Sequence, residues 1–140
     1  MRKALVTFVA VVLALVTLPA LAGEVGKEVV WPADKMEFEP VVPGVAKVVL
    51  WGDPEKSSYG ALTRFDKGLR NPLHTHSHDI KIVVLSGQFV YDSGQGEKAL
   101  GPGSYLLQPA RVQHVSGAGP DGCSFFEESD GPFDLEPVQK

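Results

Sequence analysis

Beyond residue 23, no stretch of normal helix length places its apolar residues at the three-to-four spacing of a helix face. They come instead in short runs rich in Val, Leu, Phe and Tyr, at residues 45–52, 58–65, 80–87, 88–91, 98–100, 104–108, 112–116 and 123–128. Between them stand GDPEKSS, DKGLRNP, DSGQGE, GPG and GAGPDG, the residues of turns. Many short strands with turns between them and no helices predict an all-β sandwich or barrel. Residues 24–44 are less regular and are expected along an edge. The tail from Ser129, acidic and holding two prolines, is expected to run extended over the surface. There is no internal repeat and no low-complexity linker, so one domain is expected.

The first residues follow another pattern. Arg2 and Lys3 precede an almost unbroken apolar run over 4–18, and Ala20, Leu21 and Ala22 stand before Gly23. A charged start, a short apolar run and a small-residue cleavage site predict a secretory signal peptide over 1–22. The run is short for a membrane span, and no cysteine follows the expected cut to carry a lipid. The domain is then 23–140, periplasmic or secreted, with no membrane partner after cleavage. Arg2 is followed by Lys3 rather than a second arginine, which predicts export as an unfolded chain.

Charge narrows the partners. Loss of Arg2 and Lys3 leaves 11 of the 13 basic side chains against 17 acidic ones, a net charge of −6. Such a chain has no basic face for a phosphate backbone, and nucleic acid is not an expected partner. Cys123 is the one cysteine, so no disulfide can form within the chain; flanked by strand-like residues, it is expected to be buried as a small apolar side chain. The aromatic residues are expected in the core and walls.

Chemistry concentrates in HTHSHD, residues 74–79. Three of the four histidines fall within five residues, followed by an apolar run. On a strand, His74 and His76 face the same side, and two imidazoles presented together suit a borderline divalent metal. His114, on another strand-like run just after a turn, is the candidate third ligand. His78 shares their parity and is a candidate extra ligand or supporting residue. Asp79 is a candidate to replace a carboxylate ligand or to orient an imidazole. Lys81 has the opposite parity to Ile80 and should face away. Arg111, after Pro109-Ala110, is a candidate to hold a substrate carboxylate.

These residues resemble the cupin superfamily. Its first motif is glycine, five residues, His-x-His, three or four residues, Glu, six residues, glycine; here stand Gly68, His74, His76, Ile80 and Gly87. Its second is glycine, five residues, Pro-x-Gly, two residues, His, three residues, Asn; here stand Gly103, Pro109, Arg111, His114 and Ala118. The spacing agrees throughout 68–118, and the surroundings are similar to small single-domain cupins of unknown function. The resemblance implies a jelly-roll β-barrel (a double-stranded β-helix) and ligand roles for His74, His76 and His114. It also implies a homodimer, as in many cupins.

The departures carry as much. Ile80 stands at the family's glutamate ligand, Arg111 at its second-motif glycine and Ala118 at its asparagine. Three neutral imidazoles leave the charge of a divalent ion uncompensated, which favours anionic or enolate-like oxygen donors and acidifies bound water. The expected cofactor is one divalent transition metal ion. Loading outside the cytoplasm favours zinc or copper over iron, manganese or nickel. The expected function is a metal-dependent dioxygenase, isomerase or hydrolase acting on a small oxygenated molecule. The alternative is a non-catalytic module that binds or senses a metal or small ligand.

Overall fold

The computed structural model describes residues 27–139; the expected signal peptide lies outside them. Among the described residues no helix is long and apolar enough to cross a membrane. The β-fold is built from Trp31 onward. A single 3₁₀ turn at Ala33–Lys35 precedes nine strands: β1 (Glu39–Val42), β2 (Val45–Gly52), β3 (Tyr59–Phe65), β4 (His74–Thr75), β5 (Ile80–Asp92), β6 (Lys98–Leu100), β7 (Tyr105–Gln108), β8 (Val115–Ser129) and β9 (Glu136–Pro137). Seven of them form one sheet in the order β1-β2-β3-β8-β5-β6, with β7 also on β5, and β4 pairs with β9. Every pairing is antiparallel. The expected jelly roll is therefore present, although its sheets do not close into a continuous barrel.

Two long strands replace four predicted short ones. Runs 80–87 and 88–91 are one strand, β5, and GAGPDG is no turn but the middle of β8. β5 and β8 run side by side from Ile80 opposite Ser129 to Asp92 opposite Val115, with register shifts around Gly87. Gly87 and Gly122 both take positive φ, 68° and 78°. A Cβ on Gly87 would come 2.1 Å from the Gly122 carbonyl oxygen. The glycines thus let the two strands bend together at closest approach without ending either one.

Alternation along β5 and β8 builds the interior. Ile80, Ile82 and Val84 point inward opposite Ser129, Glu127 and Phe125, while Lys81 points outward to the carboxylates of Glu128 (3.1 Å) and Asp130 (3.0 Å). Beneath them Phe125 meets Phe65 and Phe89 edge to face at 4.9 Å, while Phe65 and Phe89 stack on each other at 5.8 Å. Cys123 is buried beside this cluster, and burial pushes its thiol up to about 11. β1 forms the edge anticipated for 24–44. The tail departs from a plain surface course: it returns through β9 to pair with β4, beside the histidines.

Candidate metal centre

His74 and His114 meet because the segment before β4 runs antiparallel to the start of β8. Gly68 N–H donates to Gly119 O, Ala118 N–H to Leu69 O, and Asn71 N–H to Ser116 O, at 2.8–3.0 Å. The ladder ends in a reciprocal pair between His74 and His114. His76 follows two residues on, so all three rings share one side. Their centroids are 4.3 Å (His74–His114), 4.9 Å (His74–His76) and 5.2 Å (His76–His114) apart. All three side chains are buried, and one ring nitrogen from each lies within 4.8 Å of the others.

Backbone carbonyls decide which nitrogen that is. Nδ1 of His74 donates to Pro72 O (2.6 Å), Nδ1 of His114 to Val112 O (3.0 Å) and Nδ1 of His76 to Asp134 O. A carbonyl only accepts, so each Nδ1 carries the proton and each Nε2 holds its lone pair toward the cluster. Nε2 of His114 is buried with no hydrogen-bond partner. Three lone pairs aimed inward, one of them orphaned, fit a divalent ion that accepts imidazole nitrogen. Burial lowers the pKa of all three rings, that of His114 to about 4, against the opposing effect of their carbonyl partners. The rings are thus neutral at pH 7, the form that ligates metal.

His78 and Asp79 lie outside the cluster. The His78 ring packs against Gly131, where a Cβ would come within 2.3 Å of it. The Asp79 carboxylate accepts from Ala110 N–H at 2.8 Å, tying the histidine stretch to the Pro109 turn; it supports the backbone rather than an imidazole. Arg111 has an exposed side chain and the left-handed φ of 63° at the position where the family motif carries glycine. Its N–H donates to His76 O at 2.8 Å, so what it contributes here is a backbone bond. Ile80 lines the cavity beside His74 and His76, which confirms that the place of the missing carboxylate faces inward.

That cavity, about 40 Å³, is walled by Phe65, Ile82, Phe89 and Leu135, with Gln108, Ser116 and Glu127 as further polar groups. The last was not singled out from the sequence, though its parity in β8 was available: Phe125, Glu127 and Ser129 all point inward. Glu127 is 4% exposed and forms a buried ion pair with Lys47 of β2. Tyr59 OH donates to the same carboxylate oxygen, Oε1, at 3.0 Å. Burial and the Glu127 charge raise the Tyr59 pKa, so the phenol remains a donor.

The tail closes the site. Phe133 packs against the His76 ring (5.5 Å) and beneath Lys47 Nζ (4.2 Å). Phe133 also lines an outer groove of about 670 Å³ with Trp31, Val41, Val49 and Pro54. Asp134 Oδ1 accepts from Ser77 N–H at 2.8 Å; burial opposes its ionisation, but the bonds from Ser77 prevail and hold its carboxyl below the usual range.

A family model described as the ChrR cupin-like domain matches residues 26–132. No curated protein matches significantly. Among solved structures, the chain is similar to KdgF from Halomonas sp. (24% identity, TM-score 0.59, 71% of this chain and 92% of that one). It is similar to the polyketide cyclase RemF from Streptomyces resistomycificus (20%, 0.63, 83% and 87%). It also resembles a chain of the Rhodobacter sphaeroides complex of SigE with the anti-sigma ChrR (19%, 0.57), covering 71% of this chain and 51% of that one. At these identities the likeness is one of fold.

Proposed function

The chain belongs to the ChrR cupin-like domain family, and from that premise we propose that it is an exported cupin with a mononuclear three-histidine metal centre. The observation that carries this reading is the set of three buried imidazoles whose Nδ1 protons are all committed to backbone carbonyls. His74, His76 and His114 hold the ion, zinc or copper being favoured by loading outside the cytoplasm. A bound divalent ion supplies Lewis-acid polarisation and acidified water. The protein's own part is to keep the rings neutral, exclude bulk water with Phe133 and Leu135, and admit only a small oxygenated molecule. The reaction, if one follows, is of dioxygenase, isomerase or hydrolase type. The mature domain is 23–140, periplasmic or secreted, and pairs as a homodimer.

A non-catalytic binding or sensing module is the second reading. Two observations favour it: the cavity has room for only a few non-hydrogen atoms, and a structural neighbour is in complex with a sigma factor. Fold does not choose between the two.

Elemental analysis of protein purified from its own compartment tests the site, beside a His74→Ala/His114→Ala variant. One equivalent of metal in the wild type and none in the variant is expected; equal metal in both would sink the reading. Turnover-dependent consumption of a small oxygenated compound would then separate enzyme from module.

A further inference from the structure

The family's carboxylate position is filled by Ile80, yet the cavity does contain a carboxylate. Glu127 enters from β8, opposite Ile82 on one side and Ala61 of β3 on the other. Because Ala61 is small and fully buried, Lys47 and Tyr59 can reach past it to the same carboxylate. Both of their bonds end on Oε1; among the described residues no hydrogen bond reaches Oε2. Glu127 lines one cavity with His74 and His76, but it is not part of the three-histidine cluster. Lys47 is 9% exposed, so the ion pair is removed from solvent and its geometry is held from three strands.

Oε2 is thus left open to whatever occupies the cavity, and an acceptor in that place favours an occupant that donates to it. Lys47 and Tyr59 are already spent on the other oxygen, and Ile80 and Ile82 offer no donor. A ligand in the cavity can supply that donor. A ligand oxygen directed at an ion held by the three Nε2 atoms would be attracted as an anion, whereas one directed at Glu127 is repelled as an anion and welcomed as a hydroxyl.

We propose that Glu127, held by Lys47 and Tyr59, is the specificity-determining residue of this pocket, and that it selects ligands carrying an anionic oxygen beside a hydroxyl. Small α-hydroxy acids and hydroxy-enolates are of this class; dicarboxylates of the same size are not. The proposal rests on the histidines holding a metal, as read above. Glu127 acts here as a hydrogen-bond acceptor and does not ligate the ion.

Glycolate and oxalate are suitable probes, since both present two adjacent oxygens but only glycolate brings a hydroxyl. Their affinities for the zinc-loaded, full-length domain are measured by calorimetry in the wild type and in Glu127→Gln. Glycolate is expected to bind about tenfold more weakly to the variant, because a charge-assisted hydrogen bond is lost. Oxalate is expected to bind more tightly, so the glycolate-to-oxalate ratio changes in one direction. Since Glu127→Gln leaves Lys47 buried without its partner, Lys47→Met/Glu127→Gln is measured beside it; this variant removes both charges together. Zinc retained with an unchanged ratio in both variants would overturn the proposal alone. Failure of the wild-type protein to take up zinc or any other divalent ion would overturn the reading of the site, and the proposal with it.

Discussion

His74 N–H donates to His114 O at 3.0 Å, and His114 N–H returns the bond to His74 O at 2.9 Å. Forty positions apart in the chain, the two residues are fixed by backbone before either side chain does anything. Their imidazoles can therefore be exchanged without dismantling the frame. The orphaned His114 Nε2 implies that the metal-free fold carries an unsatisfied acceptor. His114→Leu is expected to stabilise metal-free protein by about 1 kcal/mol in urea denaturation, while abolishing the stabilisation that added zinc gives the wild type.

Acid should weaken the metal-free fold. The three imidazoles have lowered pKa values in the folded protein, that of His114 reaching about 4, mainly through burial. Unfolded chain takes up their protons from about pH 6.5 downward, while the folded chain resists. Between about pH 6.5 and about pH 4 the unfolded state binds more protons, so stability falls as pH falls, and the His114 contribution levels off below about 4. Denaturation midpoints measured across this window check the sign; a midpoint that rises toward pH 4 would contradict it.

Ile80→Glu restores the carboxylate of the family motif at a buried position, 3% exposed, that lines the cavity. The variant is expected to hold divalent metal at least about tenfold more tightly in a chelator competition, since it neutralises charge beside the ion. Without metal, the same carboxylate is buried unpaired and should destabilise the fold by about 3 kcal/mol. Opposite changes in affinity and apo stability are the signature to look for.

Gly87→Ala and Gly94→Ala separate strain from collision. Both glycines have positive φ, 68° and 89°. Gly94 has open space where a Cβ would go, whereas at Gly87 the Cβ would meet the Gly122 carbonyl oxygen at 2.1 Å. Gly94→Ala should lose about 1 kcal/mol of stability, and Gly87→Ala clearly more than about 2 kcal/mol, because β5 and β8 must then part at their bend. Urea midpoints of the two variants give the comparison.

The inward parity of His74, His76 and Ile80 and the outward parity of Lys81 could be read directly, because a strand's period of two is a local property. GAGPDG misled for an equally physical reason. Glycine and proline end strands when the chain turns, but here they allow two paired strands to bend, and only the partner's Gly87 distinguishes the cases. Asp79 looked like chemistry and is a backbone brace, since a short carboxylate near a turn does either. Lys47 and Glu127 lie eighty residues apart on strands that both flank β3; no local pattern brings them together. A glutamate at an inward position of β8 was the one available hint.

The carbonyl that sets the His76 tautomer belongs to Asp134, downstream of all four histidines. All four imidazoles therefore precede in the sequence the group that orients the second of them. The tautomer of His76 thus depends on the docking of the tail, whose β9 pairs with β4. Three imidazoles from the middle of the chain share one arrangement only when its last residues are in place.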